Sequence, residues 1–272
     1  MAVPSLPPAH ACAECDPQRC YVQADLGSKQ LPVLKQKVLL GLLQVVDEVL
    51  SEANIPYWMT GGTLLGALRH EGFIPHDDDV DLECFEEDTP RIKAAFAASS
   101  LPGHFVESGH WEGQRMARLV FWEVLVLDLF LRRKPLEAEP CFPSDQEVFP
   151  LQRYAFHDLL LPGPRDAKAF LDRCYGPSWS KEARLWNHAD HAAGQELWAK
   201  MLQAAPQVPL PLYQALVEAS GYQAPSLEKG NAQATLEHLQ REDGEVQSLL
   251  WRLLGWASPF PPPSTAGLFE DA

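Results

Sequence analysis

The chain has 272 residues, 46% of them hydrophobic, with eight tryptophans, a formal net charge of -15 at pH 7 and a pI of about 5.0. That is enough apolar material for a sizeable core, one domain with an extension. The acidity argues against general DNA or RNA binding and against charge-driven docking on anionic membranes, although an anionic nucleotide can bind an acidic site where metal ions neutralise it.

Residues 1–30 are rich in Pro, Cys and polar side chains and read as a disordered tail. Met1 to Pro8 shows no basic segment leading into a long apolar run, so no secretory signal is read. The longest apolar-rich stretch, 38–50, is broken by Gln44, Asp47 and Glu48 and is too short to span a bilayer. A cytoplasmic enzyme without a transmembrane segment is therefore expected. A chain lacking its targeting segment would read the same, which leaves the secretory-pathway lumen open. Cys12-x-x-Cys15 with Cys20 and His10 looks like part of a zinc knuckle, but the second ligand pair is missing, and free thiols on a tail are the simpler reading.

A helix is expected over 34–53, where Leu34, Val38, Leu42, Val45, Val46, Val49 and Leu50 recur at helical spacing until Asn54 and Pro56 stop it. A short strand over 55–60 then ends in the Gly61-Gly62 turn. Thr63 is expected to cap a helix over 64–70, and N–H groups exposed at that helix start suit phosphate. Residues 72–75 lead into an acidic strand. Asp88 or Thr89 starts a helix through Phe96, with Pro90 in its first turn. Strands follow at 115–121 and 124–131, then a Pro-containing loop over 133–150 and a helix over 165–175. Helical segments at 192–204, 211–219, 232–239 and 246–256 precede a Pro-rich disordered end, 259–272. The organisation expected is a catalytic domain over 31–190 and a helical extension over 191–258, flanked by the two tails.

The chemistry concentrates in His76-Asp77-Asp78-Asp79-Val80-Asp81-Leu82. On a strand, Asp77, Asp79 and Asp81 share a face, and Glu83 continues the parity. Clustered anions repel unless a cation binds them, and hard oxygen ligands suit Mg²⁺ or Mn²⁺ with substrate phosphates completing the shell. Asp128 is the single acid in the apolar run 124–131, and its best partner is a cation held by Asp79 and Asp81. Acids on adjacent strands can hold ions that clamp the attacking and leaving oxygens at phosphorus. The alternative is a solvated edge face. Asp78 has the opposite parity and reads as structural or solvated. Gly61 and Gly62 alone signal only a turn; with the acids behind them they become phosphate contacts. Arg69 and His70 either neutralise phosphate or complement a helix C-terminus. His76 is either a partner of the acids or simply packed. Arg115, Arg118 and Arg153 are candidate phosphate or sugar contacts that can equally serve the surface.

The stretch from Asn54 to Leu82, with Gly61-Gly62-Thr63-Leu64-Leu65-Gly66, Arg69-His70 and the Asp77-Asp78-Asp79-Val80-Asp81 run, closely resembles the LicD/fukutin-related family. Phe149 to Arg153, Leu161 to Pro164 and Phe170 to Gly176 resemble its downstream segment, so the resemblance covers roughly 35–180. It implies an α+β fold of nucleotidyltransferase type, a small mixed β-sheet flanked by helices, with a helical C-terminal region added here. It implies metal-dependent transfer of a phosphocholine-like or ribitol-phosphate-like group from a CDP-linked donor to a hydroxyl acceptor such as a glycan. On that basis Asp79, Asp81, Asp77 and Asp128 match the metal-binding acids. Gly61, Gly62 and Thr63 match the phosphate-holding turn, with Arg69 and Arg153 as further substrate contacts. His76 departs from the family, which often has Trp there. The missing membrane anchor departs from its glycan-modifying eukaryotic members, which act in the secretory pathway. Nucleotidyl transfer to a small hydroxylated acceptor and a catalytically silent metal-binding member of the fold are the alternatives.

Overall fold

The apolar stripe after residue 32 folds as the helix α1 (Val33–Glu52), and Asn54, left-handed at φ 51°, turns the chain so that the Ile55 N–H reaches the Leu50 carbonyl. The computed structural model describes residues 33–77, 79–99, 103–111, 114–121, 125–139, 142–185 and 207–226. The expected tails, the cysteines at 12, 15 and 20, Asp78, and the expected helices at 192–204, 232–239 and 246–256 lie outside the described residues.

Strand β1 (Tyr57–Met59) runs into α2 (Gly61–His70). This helix starts two residues before Thr63, with Thr60 at the N-cap, so Thr63 sits inside the first turn and is not the cap expected from the sequence. Strand β2 (Asp81–Phe85), a 3-10 turn (Glu86–Asp88) and α3 (Thr89–Ala98) follow. Strands β3 (Gly103–Trp111), β4 (Gln114–Phe121) and β5 (Leu125–Arg132) then complete a five-stranded sheet in the order β1-β2-β5-β4-β3. Strands β2 and β5 pair in parallel and the other neighbours antiparallel, so the sheet is mixed and the fold is α+β, as expected. Strand β3 gives no apolar alternation: Val106 to His110 are exposed, and the register shifts between Glu107 and Gly109. It is an edge strand, where solvent-facing residues and a bulge keep other chains from pairing.

The cross-strand pairs divide the sheet into two faces. Tyr57, Met59, Leu82, Cys84, Leu129, Leu131, Ala117 and Leu119 point to the side covered by α1, and belong to the main core with Leu39, Leu42, Leu43 and Val46. Burying each large apolar side chain there contributes roughly 1.5–3 kcal/mol. The other face carries Asp81, Glu83 and Phe85 on β2, Asp128, Phe130 and Arg132 on β5, and Trp58 on β1. Beyond its charged end this face closes with two small apolar clusters, Trp58-Phe85-Leu136-Val148 and Met116-Phe130-Phe142.

The loop expected over 133–150 contains the short helix α4 (Asp145–Val148), begun by a Ser144/Glu147 capping box. A hairpin of β6 (Gln152–Phe156) and β7 (Leu159–Gly163) precedes α5 (Ala167–Tyr175). Strand β8 (Glu182–Arg184) pairs with β9 (Gln207–Pro209), which leads into α6 (Leu210–Ala219). Ala183, Leu185, Val208, Tyr213, Leu216 and Val217 form a separate small core, so residues on both sides of position 190 share one packed unit.

Candidate metal centre

Strand β2 begins at Asp81, so the alternation expected over 77–81 starts only there, and Asp77 and Asp79 lie on the loop before it. The acids converge by another route. Asp81 and Asp128 face each other in the parallel β2–β5 register, held by the Asp128 N–H on the Val80 carbonyl at 2.9 Å. Asp79, Asp81 and Asp128, all half-buried, each bring a carboxylate oxygen within 4.8 Å of the others. Like charges this close favour a bound cation over mutual repulsion. The donors are all hard oxygens, the set that Mg²⁺ and Mn²⁺ prefer, and the residues therefore fit such an ion.

Asp77 follows a turn closed by its own N–H on the Ile74 carbonyl at 2.8 Å. Its carboxylate lies over the start of α2: a Cβ on Gly62 would stand 2.7 Å from Asp77 Oδ2. A Cβ on Gly61 would collide with Asp81 Oδ2, and Gly61 also has φ 51°, a conformation glycine adopts without strain. The two glycines are therefore the space that the Asp81 and Asp77 carboxylates occupy. The positive end of the α2 dipole lies under those carboxylates and favours their charge.

Thr63 is almost fully buried, and its Oγ1 accepts the Asp81 N–H at 2.8 Å, while the Thr60 N–H reaches the Asp81 carbonyl at 3.2 Å. Its oxygen is thus bonded to the backbone of Asp81. Arg69 is bonded to its own helix end and to residues 179–182. Its Nη1 donates to the Trp179 and Glu182 carbonyls at 3.1 Å each, and its Nε donates to His70 Nε2 at 2.9 Å. Burial lowers the Arg69 pKa against the opposing pull of Tyr213, Tyr175 and Asp77, and it drives His70 down to about 3 beside the Arg69 charge. Arg153 lies on β6, donates to the Leu160 carbonyl and pairs with Asp47 at 3.5 Å. Asp47 also accepts the Tyr57 hydroxyl, which places Arg153 on the helix-covered side of the sheet, opposite the trio.

Two pairings were not read from the sequence. Arg118, directly opposite Asp128 on β4, donates from Nε to Asp128 Oδ1 at 2.8 Å, with its side chain 46% exposed. Glu83 shares the Asp81 face but is committed elsewhere: it is fully buried and pairs with Arg132 at 2.6 Å. Burial pushes the Glu83 carboxyl up, and the Arg132 guanidinium pulls it back. Arg115 pairs with Glu86 and Glu107. His76 is buried, its Nδ1 hydrogen-bonded to the Tyr213 hydroxyl at 2.7 Å.

The LicD/FKTN/FKRP nucleotidyltransferase domain matches residues 54–127, the stretch from β1 into β5. An uncharacterized protein of Rickettsia typhi is 32% identical over 185 residues, covering 64% of this chain and 57% of that protein. The human ribitol 5-phosphate transferase FKRP is 29% identical over 150 residues, 47% of this chain and 29% of its own length. The Haemophilus influenzae lipopolysaccharide cholinephosphotransferase LicD is 40% identical over 58 residues, 21% of this chain and 22% of its own length. The chain thus spans less than two thirds of the length of these relatives.

Proposed function

We propose that the chain, whose residues 54–127 match the LicD/FKTN/FKRP nucleotidyltransferase domain, acts as a member of the LicD/fukutin-related family and moves a phosphocholine-like or ribitol-phosphate-like group from a CDP-linked donor to a hydroxyl acceptor such as a glycan. The observation that carries this reading is the convergence of Asp79, Asp81 and Asp128 from a loop and two parallel strands to within 4.8 Å. The names of the relatives, a ribitol 5-phosphate transferase and a cholinephosphotransferase, support the class of group transferred. No helix among the described residues is long and apolar enough to cross a membrane.

A divalent cation held by the three carboxylates would neutralise the pyrophosphate oxygens and the leaving CMP. The chain's own residues do the rest. Asp81 and Asp128 are presented rigidly, because their backbones are locked in one ladder. Thr63 fixes the Asp81 backbone from inside α2. Gly61 and Gly62 leave room at the start of α2 for the Asp81 and Asp77 carboxylates. The acceptor oxygen attacks the phosphorus that bears the alcohol, the P–O bond to CMP breaks, and Asp77 takes the acceptor's proton.

The test is incubation of the full chain with CDP-choline or CDP-ribitol, Mg²⁺ and a hydroxylated acceptor. Release of CMP is expected. Pyrophosphate released from a nucleoside triphosphate instead would overturn this reading in favour of nucleotidyl transfer.

A further inference from the structure

We propose that residues 207–226 form a strap that fixes the loop carrying Asp77 and Asp79, with Tyr213 and Tyr222 as its positioning residues. The role given to the loop rests on the metal reading above. Residues 207–226 lie outside both the matched domain, 54–127, and the sequence resemblance.

The loop between α2 and β2 lies outside the sheet and is held from two sides. From α1, the fully buried Gln36 donates from Nε2 to the Asp77 carbonyl at 2.8 Å, the Ile74 carbonyl at 3.1 Å and the Pro75 carbonyl at 3.4 Å. The other end of that amide, Oε1, accepts the Tyr222 hydroxyl at 2.9 Å, so the strap holds the side chain that holds the loop. Without this donor the buried Oε1 would lose its partner, and the side chain would be held by its loop end alone. Burial raises the Tyr222 pKa to about 12, so the donor keeps its proton. On the other side the fully buried Tyr213 is bonded to His76 Nδ1 at 2.7 Å, its ring edge-on to both His76 and His70. The strap is itself anchored by the β8–β9 pairing and the small core around Tyr213. Each hydroxyl therefore acts on a residue that holds the loop, one step behind the carboxylates. Groups in such a place commonly change metal affinity by about 10- to 100-fold when removed.

The test uses the full-length chain with Tyr213→Phe, Tyr222→Phe and the double variant, which keep the rings and delete the hydroxyls. Mn²⁺ binding is titrated without donor, and amide hydrogen exchange is followed over residues 74–81 and, as a reference, over β5. The double variant is expected to bind Mn²⁺ about tenfold more weakly and to exchange the loop amides faster, with β5 protection unchanged. A purely structural role would lower the melting temperature while leaving Mn²⁺ affinity and loop exchange at wild-type values, and that result overturns the strap. If wild type and Asp81→Asn bind Mn²⁺ equally, the metal reading fails, and loop exchange still decides whether the strap exists.

Discussion

The Thr63 hydroxyl oxygen accepts the backbone N–H of Asp81 at 2.8 Å, so the Gly-Gly-Thr turn and the acidic strand are joined by a direct hydrogen bond. Thr63 is expected to act through Asp81. Thr63→Val, which keeps the shape and deletes the acceptor, should weaken Mn²⁺ binding and turnover by about 10-fold or more, with donor KM little changed. Thr63→Ser should retain most of both. Steady-state kinetics and a metal titration read this. A rise in KM alone in Thr63→Val would make Thr63 a phosphate contact instead.

Gly61 and Gly62 predict unequal responses to a methyl group. Gly61→Ala forces a side chain into a left-handed conformation and onto Asp81, and should cost on the order of 1–3 kcal/mol as well as metal affinity. Gly62→Ala meets only the end of the Asp77 side chain, which can turn aside. It should fold as wild type and bind Mn²⁺ with near-normal affinity. Denaturant melts and the same titration separate the two.

Arg118 holds Asp128 Oδ1 from across the sheet and would compete with a metal ion for that oxygen. Arg118→Met should therefore raise Mn²⁺ affinity by about two- to fivefold at low ionic strength, the scale of an exposed ion pair, with the gain shrinking in high salt. Calorimetric titration at two salt concentrations checks it.

A pH dependence follows from His157. Its Nε2 accepts the Phe73 N–H at 2.9 Å, and its ring fills the space where a Gly72 side chain would stand. Burial lowers its pKa to about 4 against the weaker upward pull of Asp158. The folded state favours the neutral ring, so its contribution is complete above the unfolded value near 6.5 and is lost as pH falls from there toward 4. His157 has φ 53°, which Asn tolerates. His157→Asn should be less stable than wild type at pH 7.5, and the difference should narrow between pH 6.5 and 4. Unfolding curves of both proteins across that range measure it.

Much of this site was legible in the chain, for a physical reason. Asp128 stands alone in Leu125-Val126-Leu127-Asp128-Leu129-Phe130, and a carboxylate in such a run needs a cation, which tied it to Asp79 and Asp81 before any contact was known. The strand alternation that also placed Asp77 and Glu83 on the site was less informative. The strand starts only at Asp81, and Glu83, on the correct face, is occupied by Arg132. Thr63 and Arg69 lie near the acids, but which way their polar atoms turn depends on partners from β2 and from residues 179–182. Strand β3 was missed because an edge strand with exposed side chains lacks the apolar alternation that reveals strands. The bond between His76 and Tyr213 joins residues 137 positions apart and leaves no local pattern. Gln36 did leave one: a polar residue one and two turns before Leu40 and Leu43 on the buried stripe of α1.

The most direct test of the central claim is CMP release from CDP-choline and CDP-ribitol by wild type and by Asp79→Asn, Asp81→Asn and Asp128→Asn, with Mg²⁺ present and after its removal by chelation. Wild type should turn over one of these donors only with the ion. Each variant should keep the wild-type circular dichroism spectrum and lose activity by about 10³-fold or more. Near wild-type turnover in all three variants, or turnover that survives chelation, would contradict the account.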